Sequence, residues 1–596
     1  MSQQCHQMSV QCTFSTNGRF VRAALVVVAA WVIITPSVMA APISIRMETQ
    51  SSRNQKTITI VTDASKMTPK AARVGTQIFT AIQWHDESHS AATGAPDLPR
   101  INRWIAVSAN SRYSVKVQRE NPLRISNITI MPRQPDTIDD GRKAPFAFDP
   151  AAYRRLAGLP TVKFGGADEA KIGPANLQLL SVSPFAYDPA NRLLVIYQKI
   201  TVTLRPTTAG QAAPTELSDV VVSQQMFKRI APLVLNQKDL KISPVKGSLG
   251  NVLIITTNDL LSEASRLKTI HPDRNFAIAT IAPTTSPTSI KSLISNTYGE
   301  GNLEAVVIVG DESKVGYATW NEIPSDSWYS YISGNDNISD VSIGRIPAAN
   351  TDEARLIIDK ISRYQENHSS GYASKKVMLV AHAEEYPGKY TANMETVRKA
   401  SNPLGFEFNT QYGGKDATND SIASRISEGF AIVNYRGHGS ATTWSGWGKD
   451  GRSFGSTQVN NLPNTDKSLT MFFNIACDTG AFHLSSRSMA ENMLLVTPET
   501  DSNFKSTESA GNNGELHRGA VAVIAATKPS YTDINHRFAV NLFALLQANP
   551  DATVGDLSLM ANNKLITDAN GSMNDNTRMY LIFGDPLLRP LGASTR

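Results

Sequence analysis

Cysteine is scarce in this sequence of 596 residues: three occur, and no two of them form a Cys-x-x-Cys pair. Zinc ribbons and thioredoxin-like redox sites need such pairs and are therefore excluded. The sequence also lacks a large excess of charge of one sign. Its 58 lysines and arginines and 52 aspartates and glutamates leave a formal net charge of +6. So weak an excess over this length argues against a dedicated nucleic-acid-binding protein, and no nucleic-acid partner is expected.

Long apolar runs are also lacking. The run at residues 23–34 has 12 residues, which gives about 18 Å of helix, too short for a bilayer core of about 30 Å. Apolar residues nevertheless make up 41% of the chain, which is enough for large cores and excludes a mainly disordered chain. At roughly 100–200 residues per domain, the length predicts about three or four folded units.

The N-terminus has the pattern of a signal peptide. Arg19 and Arg22 precede the apolar run, and the small-residue site Val38-Met39-Ala40 follows it. This arrangement predicts a cleaved signal peptide over residues 1–40 and a secreted, periplasmic or cell-surface protein with no transmembrane segment after cleavage. An uncleaved N-terminal anchor is the alternative. Cleavage removes two arginines and no acid, which lowers the net charge from +6 to +4.

Cleavage after residue 40 also leaves a single cysteine, Cys477, since Cys5 and Cys12 lie in the predicted signal peptide. One cysteine cannot form an internal disulfide. In an exported protein it is an intermolecular link, an inert core residue or a reactive thiol.

Two regions with different patterns follow the signal peptide. Residues 41–245 contain short strand-like runs separated by Gly, Pro and Asn, which predicts a β-sandwich; the runs lie at 57–61, 105–107, 113–117, 125–130, 193–197 and 200–204. From residue 246 onward, continuous apolar runs alternate with helical patterns, such as 351–364. That alternation predicts a parallel α/β sheet buried on both faces, with any ligand site at the strand ends.

Two of these buried strands end in residues with reactive side chains. One runs into Gly437-His438-Gly439, and the other runs into Cys477. If the strands are parallel neighbours, the imidazole and the thiol meet at one sheet edge. The imidazole would activate the thiol, and the backbone N–H groups of Gly439 and Cys477 could hold an acyl oxyanion. A core cysteine and a structural histidine are the alternatives.

The motifs around these residues resemble a known family. Residues 434–444, Asn-Tyr-Arg-Gly-His-Gly-Ser-Ala-Thr-Thr-Trp, and 475–480, Ile-Ala-Cys-Asp-Thr-Gly, are similar to the catalytic motifs of the gingipain-like cysteine peptidases, peptidase family C25. The resemblance extends over most of residues 250–592. Residues 42–245 are similar, more weakly, to the pro-domain of that family.

The resemblance implies a caspase–haemoglobinase-like parallel sheet in two subdomains, predicted at 246–370 and 371–596, after a β-sandwich-like pro-domain at 41–245. It implies that Cys477 is the nucleophile and His438 the catalytic base and acid. Glu384 occupies the place of the acid that orients the histidine, with Glu385 as the second choice; a solvated surface acid is the alternative.

The resemblance also bears on substrate binding and on metal binding. Trp444 looks like the pocket-wall aromatic of the family, although structural packing is an alternative, and Ser440 is assigned to substrate binding beside it. No cofactor is required for the chemistry, but structural calcium is possible, with candidate ligands at residues 335–337 and 416–420 and no assigned metal site. The acid that selects Arg or Lys before the scissile bond is not evident: 387–392 holds Lys389 and no acid.

The sequence therefore predicts an exported cysteine endopeptidase that works through a thioester acyl-enzyme on protein or peptide substrates. It is expected to be made as a latent precursor, with its own pro-domain as inhibitor. One alternative is a sortase-like transpeptidase that attaches proteins to a surface amine. The other is a non-catalytic secreted binding protein.

Overall fold

A computed structural model describes most of the chain after the predicted signal peptide. The described residues are 43–50, 55–63, 68–83, 87–89, 92–109, 111–140, 142, 144–154, 161–207, 221–242, 250–299, 303–369, 374–496, 499–500, 515–566 and 571–592. All of them belong to one unit, Pro42–Arg596. The predicted signal peptide lies outside the described residues.

The N-terminal region consists of short strands, as their alternating apolar and polar residues predict. They are β1 (Ile43–Gln50), β2 (Gln55–Thr62), β3 (Thr68–Val74), β4 (Gln77–Gln83), β5 (Ser88–His89), β6 (Pro99–Val107), β7 (Tyr113–Ile125), β8 (Val162–Ile172), β9 (Ala175–Val182), β10 (Phe185–Asp188) and β11 (Leu193–Pro206).

Two antiparallel sheets pack face to face in this region. One has the order β1-β2-β11-β10, with β7 also paired to β11, and the other has the order β5-β6-β9-β8. Ile58 and Ile200 from the first sheet share a buried core with Ile105 and Leu180 from the second. The predicted sandwich is confirmed. The runs predicted at 193–197 and 200–204 form one strand, β11, and the run predicted at 125–130 is not a strand beyond Ile125.

Two short strands, β12 (Val221–Val222) and β13 (Lys241–Ile242), end the N-terminal region. The C-terminal region alternates strands and helices, and its described strands are β14 (Gly250–Thr256), β15 (Arg274–Thr280), β16 (Leu303–Val309), β17 (Ala318–Trp320), β18 (Ile323–Ser325), β19 (Ser342–Ile346), β20 (Lys376–Ala381), β21 (Glu407–Tyr412), β22 (Ile432–Arg436), β23 (Gly439–Ser440), β24 (Thr443–Trp444), β25 (Phe454–Gly455), β26 (Thr470–Ile475), β27 (Glu499–Thr500), β28 (Glu515–Leu516), β29 (Ala520–Ala526) and β30 (Tyr580–Gly584).

The helices lie between these strands. They are α1 (Gln224–Ile230), α2 (Leu261–Ser265), α3 (Leu267–Ile270), α4 (Pro287–Tyr298), α5 (Thr351–Ser369), α6 (Lys389–Ser401), α7 (Asn419–Ile426), α8 (Ser456–Asn460), α9 (Met489–Leu494), α10 (Thr532–Ala548), α11 (Val554–Leu565) and α12 (Gly571–Met579). Among the described residues, none of the helices combines the length and apolar character needed to cross a bilayer.

A ten-stranded sheet organises this region, in the order β15-β14-β16-β19-β30-β29-β26-β22-β20-β21. Strands such as β16 and β29 are buried along their whole length, as their continuous apolar runs predict. The α/β fold class is confirmed. One pairing departs from the parallel pattern, because β30 runs antiparallel to β29. Across the predicted subdomain boundary the sheet continues through β19 and β30, where Arg345 faces Phe583.

Candidate active site

The strands that carry the predicted dyad are parallel neighbours. Strands β22 and β26 pair so that their last residues, Arg436 and Ile475, lie opposite each other. His438 and Cys477 each follow two residues later, at the same edge of the sheet. The structure therefore brings together the imidazole and the thiol that sequence analysis had placed at separate strand ends.

The glycines on either side of His438 are required by close contacts within the protein. A Cβ at Gly439 would lie 2.4 Å from the carbonyl oxygen of Cys477, and a Cβ at Gly437 would lie 2.5 Å from the Cβ of His382. No side chain fits at such distances. The atoms that demand glycine here belong to the protein itself, at the ends of the neighbouring strands.

An acid lies against the imidazole. Glu384 follows β20, and its Oε2 is 2.5 Å from Nε2 of His438. Lys389 donates a hydrogen bond of 2.9 Å to the same oxygen. Burial opposes ionisation of Glu384, but the bonds and charges of Lys389 and His438 hold the pKa of this carboxyl below its ordinary value. The second choice, Glu385, is exposed and has a positive φ of 54°, so the structure favours Glu384.

A second histidine, which sequence analysis missed, lies beneath this pair. His382 accepts a hydrogen bond of 2.9 Å at Nδ1 from the backbone N–H of Glu384, and its ring is 4.6 Å from that of His438. Burial and the nearby His438 lower the pKa of His382 to about 4. His382 is therefore a neutral acceptor near pH 7, and it fixes the backbone that carries Glu384. Its position directly after a buried strand was the available sequence signal.

The thiol is buried and holds a proton. Cys477 accepts a hydrogen bond of 3.2 Å from the backbone N–H of Ser530, and it donates to the carbonyl oxygen of Asp139 at 3.3 Å. Burial, followed by the negative charge of Asp139, raises the pKa of Cys477 to about 12. In this form of the protein the thiolate is suppressed.

The carbonyl oxygen of Asp139 also accepts a hydrogen bond from the imidazole of His438. It lies 2.7 Å from Nδ1 of His438, and so it sits between the two members of the predicted dyad. Within the part of the chain that the structure describes, no hydrogen bond joins His438 directly to Cys477. A residue from the N-terminal β-rich region therefore stands between the two.

Asp139 reaches this place in an extended segment. Ile138 forms an antiparallel bridge with Tyr531. The N–H of Asp139 donates to the carbonyl of Ser530, and the N–H of Thr532 donates to the carbonyl of Thr137, both at 2.8 Å. The segment thus adds a short strand to the edge formed by residues 530–532, which is how an extended peptide commonly binds to a protein.

The side chain of Asp139 enters a pocket of hydrogen-bond donors. Arg436 donates a short bond to Oδ2, and both side chains are fully buried. Three further side chains complete the contacts: Tyr390 donates to Oδ1 at 2.5 Å, Thr532 donates to Oδ1 at 2.9 Å and Asn535 donates to Oδ2 at 3.2 Å. Despite burial, the charge of Arg436 and these bonds hold the pKa of Asp139 below its ordinary value.

The guanidinium of Arg436 is anchored independently of Asp139. Its Nε donates to Nδ1 of His536 at 3.0 Å, and its terminal nitrogens donate to the carbonyls of Thr532 at 2.9 Å and Ile475 at 3.3 Å. Burial and the charge of Arg436 hold the pKa of His536 well below its ordinary value, which keeps His536 neutral and able to accept. Sequence analysis missed Arg436, although an arginine that ends a fully buried strand is itself unusual.

The two residues predicted to bind substrate lie on the short sheet β23-β24-β25. Trp444 is fully buried, stacked on Tyr435 at 4.3 Å and on Phe454 at 4.7 Å. Through Tyr435, Trp444 therefore packs against β22, the strand that leads into His438. The Ser440 hydroxyl is 2.9 Å from that of Thr443. Substrate binding by Trp444 and Ser440 stays a prediction.

Metal binding also stays a prediction. His382, Glu384 and His438 each offer a ligand atom, and these atoms lie within 4.8 Å of one another. The carboxylate of this group already binds the ammonium of Lys389, a contact that disfavours a cation at the same oxygen. At one predicted calcium loop, both carboxylate oxygens of Asp336 accept backbone N–H groups, from Lys171 and from Ile338.

Comparison with known families identifies the family of this chain. The model of peptidase family C25 matches residues 247–591, and the model of the C25 propeptide matches residues 49–228. The first match covers more than half of the chain. The chain belongs to peptidase family C25. The predicted resemblance is thus confirmed, and the β-rich region preceding the peptidase region is a C25 propeptide.

Similar proteins come from Porphyromonas gingivalis. Gingipain R1 is 23% identical over 582 residues, which cover 91% of this chain and 55% of the relative. Gingipain R2 is 24% identical over 528 residues, which cover 83% of this chain and 67% of the relative. This C25 chain thus spans about half to two thirds of their length. The crystal structure of the Arg-specific cysteine proteinase gingipain R is 22% identical, covers 58% of this chain and 80% of that one, and has a TM-score of 0.49.

Proposed function

We propose that this C25 protein is an exported cysteine endopeptidase made as a latent precursor. Cys477 is the nucleophile, His438 is the general base and acid, and Glu384 orients the imidazole. Protein or peptide chains are the substrates. The observation that carries the proposal is that a peptide carbonyl, that of Asp139, lies within hydrogen-bond reach of both His438 and Cys477.

Catalysis begins when the inhibitory segment has left. Nδ1 of His438 then takes the proton of the Cys477 thiol, and the thiolate attacks the scissile carbonyl carbon. The tetrahedral oxyanion is held by the backbone N–H groups of Gly439 and Cys477. When the C–N bond breaks, the imidazolium gives its proton to the leaving amine, and a thioester remains. Water, deprotonated by His438, hydrolyses the thioester and restores the thiol.

Glu384 supports both proton transfers. Its contact with Nε2 of His438 fixes the ring so that Nδ1 faces the thiol, and its negative charge stabilises the imidazolium. Lys389 keeps this carboxyl ionised, as the lowered pKa of Glu384 indicates. His382 is a positioning residue, because it accepts a hydrogen bond from the backbone N–H of Glu384 and so holds that carboxylate in place.

Latency follows from the position of Asp139. Its carbonyl oxygen accepts from the two groups that must exchange a proton, and its carboxylate adds to the burial that raises the pKa of Cys477. Cys477 donates its proton to this oxygen and stays a thiol, and a thiol is a poor nucleophile toward the carbonyl carbon. We propose that cleavage of the chain around residues 218–250 releases the pro-domain and frees the dyad.

Export rests on the predicted signal peptide at residues 1–40. A secreted, periplasmic or cell-surface location fits a protease that must stay inactive until it has left the cytoplasm. In that compartment a single mature thiol cannot be lost to an internal disulfide.

A peptide library tests the proposal. The full chain after its signal, allowed to process, is incubated with mixed peptides beside Cys477→Ala, and the products are read by mass spectrometry. Products that only the wild-type protein makes are expected. A small amine in a parallel sample distinguishes hydrolysis from transfer, since transfer gives a mass-shifted product. Equal product profiles for both proteins would refute the role of Cys477.

A further inference from the structure

We propose that this peptidase cleaves after aspartate and that Arg436 is the residue that selects it. The inference rests on the proposed function, because it names the substrate residue whose carbonyl Cys477 attacks. It arises from a coincidence in the structure: the residue whose carbonyl oxygen lies at the dyad is the same residue whose carboxylate fills the adjoining pocket.

The inhibitory segment is bound as a substrate chain would be. Residues 137–139 run antiparallel to residues 530–532 through backbone hydrogen bonds, and the last of them, Asp139, presents its carbonyl to Cys477. In protease terms Asp139 stands at P1, the residue before the scissile bond. Its side-chain pocket is therefore the P1 pocket, and Ile138 and Thr137 stand at P2 and P3.

The pocket belongs entirely to the peptidase region. Arg436 closes β22, Tyr390 lies in α6, and Thr532 and Asn535 lie in α10. The guanidinium is held in place by His536 and by two backbone carbonyls, while its remaining bond points at the carboxylate. The ring of Tyr390 covers it at 4.8 Å. Arg436 is therefore already aimed when the inhibitory segment leaves.

The chemistry of the pocket selects an anion. Arg436, Tyr390, Thr532 and Asn535 all donate to the Asp139 carboxylate, and a buried guanidinium left without an anion is strongly unfavourable. A lysine or arginine side chain would place a second cation against Arg436. The absence of an acid from residues 387–392 agrees with this.

Size restricts the choice further. Asp139 and Arg436 are both fully buried, and Arg436 is anchored, so the longer side chain of a glutamate would press against groups that are held in place. Over-packing of this kind costs roughly tenfold in affinity. Asparagine fits by shape but leaves the guanidinium unpaired, a loss of at least about 30-fold for a buried charge pair.

The test uses the full chain carrying Asp139→Ala, which takes the inhibitory carboxylate out of the pocket. Its substrates are fluorogenic peptides Asp-Thr-Ile-X that differ only in X, with Asp, Asn, Glu or Lys at that position. We expect kcat/KM to be at least about 30-fold higher for Asp than for Asn, with Lys not cleaved. Faster cleavage after Asn or Lys would overturn the inference. Asp139→Asn replaces the alanine variant if that variant does not fold.

A peptide library separates failure of the inference from failure of the proposed function. Products that depend on Cys477 but end in residues other than Asp would overturn the aspartate preference and leave the cysteine peptidase standing. If no Cys477-dependent product forms with either Asp139 variant, the proposed function fails and the inference fails with it.

Arg436→Gln, added to the Asp139 variant, tests the selecting residue. The ratio of kcat/KM for the Asp peptide to that for the Asn peptide should fall toward one, because the glutamine no longer distinguishes charge. An unchanged ratio would mean that Arg436 is only a structural partner of the pro-domain. Arg436→Lys keeps a cation without the anchoring bonds, serves if the glutamine variant does not fold, and should give an intermediate ratio.

Discussion

The two halves of the latent site come from regions that differ in regularity. The peptidase half, with His438 and Cys477, lies at the ends of two paired strands in the ten-stranded sheet. The inhibitory half is one residue, Asp139, in an irregular stretch between β7 and β8. Regular strands fix the reactive groups, whereas the blocking residue is fixed mainly by what it binds. A substitution at the blocking residue should therefore change latency without disturbing the sheet.

The largest effect is expected from Asp139→Ala in the full chain. Loss of the carboxylate and of the segment exposes Cys477 and removes both causes of its raised pKa. A fall from about 12 to an ordinary thiol pKa of about 8.5 raises the thiolate fraction at neutral pH by roughly 3,000-fold. The rate of Cys477 alkylation by iodoacetamide, followed by mass spectrometry, measures this.

Asp140→Ala is the matched control for that experiment. The carboxylate of Asp140 pairs with Arg142 rather than with the pocket, so the alkylation rate should change little. Equal acceleration by the two variants would mean that the whole segment, rather than its buried anchor, maintains latency.

Glu384→Gln tests which acid in the peptidase half orients His438. Without the carboxylate, the imidazolium of His438 loses its stabilising charge, and kcat should fall about 100-fold, in the range for acid–base support. The exposed neighbour gives the comparison: Glu385→Gln should stay within about twofold of the unsubstituted enzyme. If the two variants ranked in the opposite order, Glu385 would be the orienting acid.

A smaller effect is expected from His382→Ala, about tenfold in kcat, because the backbone N–H of Glu384 loses its buried acceptor. His382→Asn restores an acceptor on a shorter side chain and should recover part of the rate. Recovery by the asparagine is the diagnostic, since it depends on an acceptor for the backbone N–H of Glu384. A rate as low with asparagine as with alanine would assign His382 to packing alone.

Acid should weaken latency by the smallest amount. The pKa of Asp139 is lowered when the segment is docked, so docking gains its full contribution above the free carboxyl value of about 3.9 and loses it as the pH falls below that value. Between pH 5 and pH 3.5, the hydrogen-exchange rate of residues 137–140, divided by the intrinsic rate of an unfolded peptide at the same pH, should rise a few-fold. Asp139→Asn, which has no proton to gain, should lack this acid step.

The same contrast explains what sequence analysis could predict. Buried apolar runs predicted the strands. Motifs at two strand ends predicted His438 and Cys477, and the family resemblance predicted Glu384 after a third strand, because strand order and register decide which side chains meet. Asp139 could not be found in this way, since residues 126–150 have no periodic pattern of apolar residues. Asp139 and Cys477 are also 338 positions apart in the sequence, and a contact between such distant residues leaves no local pattern. Arg436 was overlooked because its role depends on Asp139. The antiparallel β30 was missed because apolar runs do not reveal strand direction.

The covalent connection between Asp139 and Cys477 has a kinetic consequence. An inhibitor in the same chain acts at an effective concentration set by the connecting segment, often in the millimolar range, whatever the amount of protein. A cut near residues 218–250 alters none of the contacts around Asp139, but it turns the pro-domain into a separate molecule that can diffuse away. Activity after the cut should then rise with dilution, so a crowded compartment would prolong latency and open surroundings would end it.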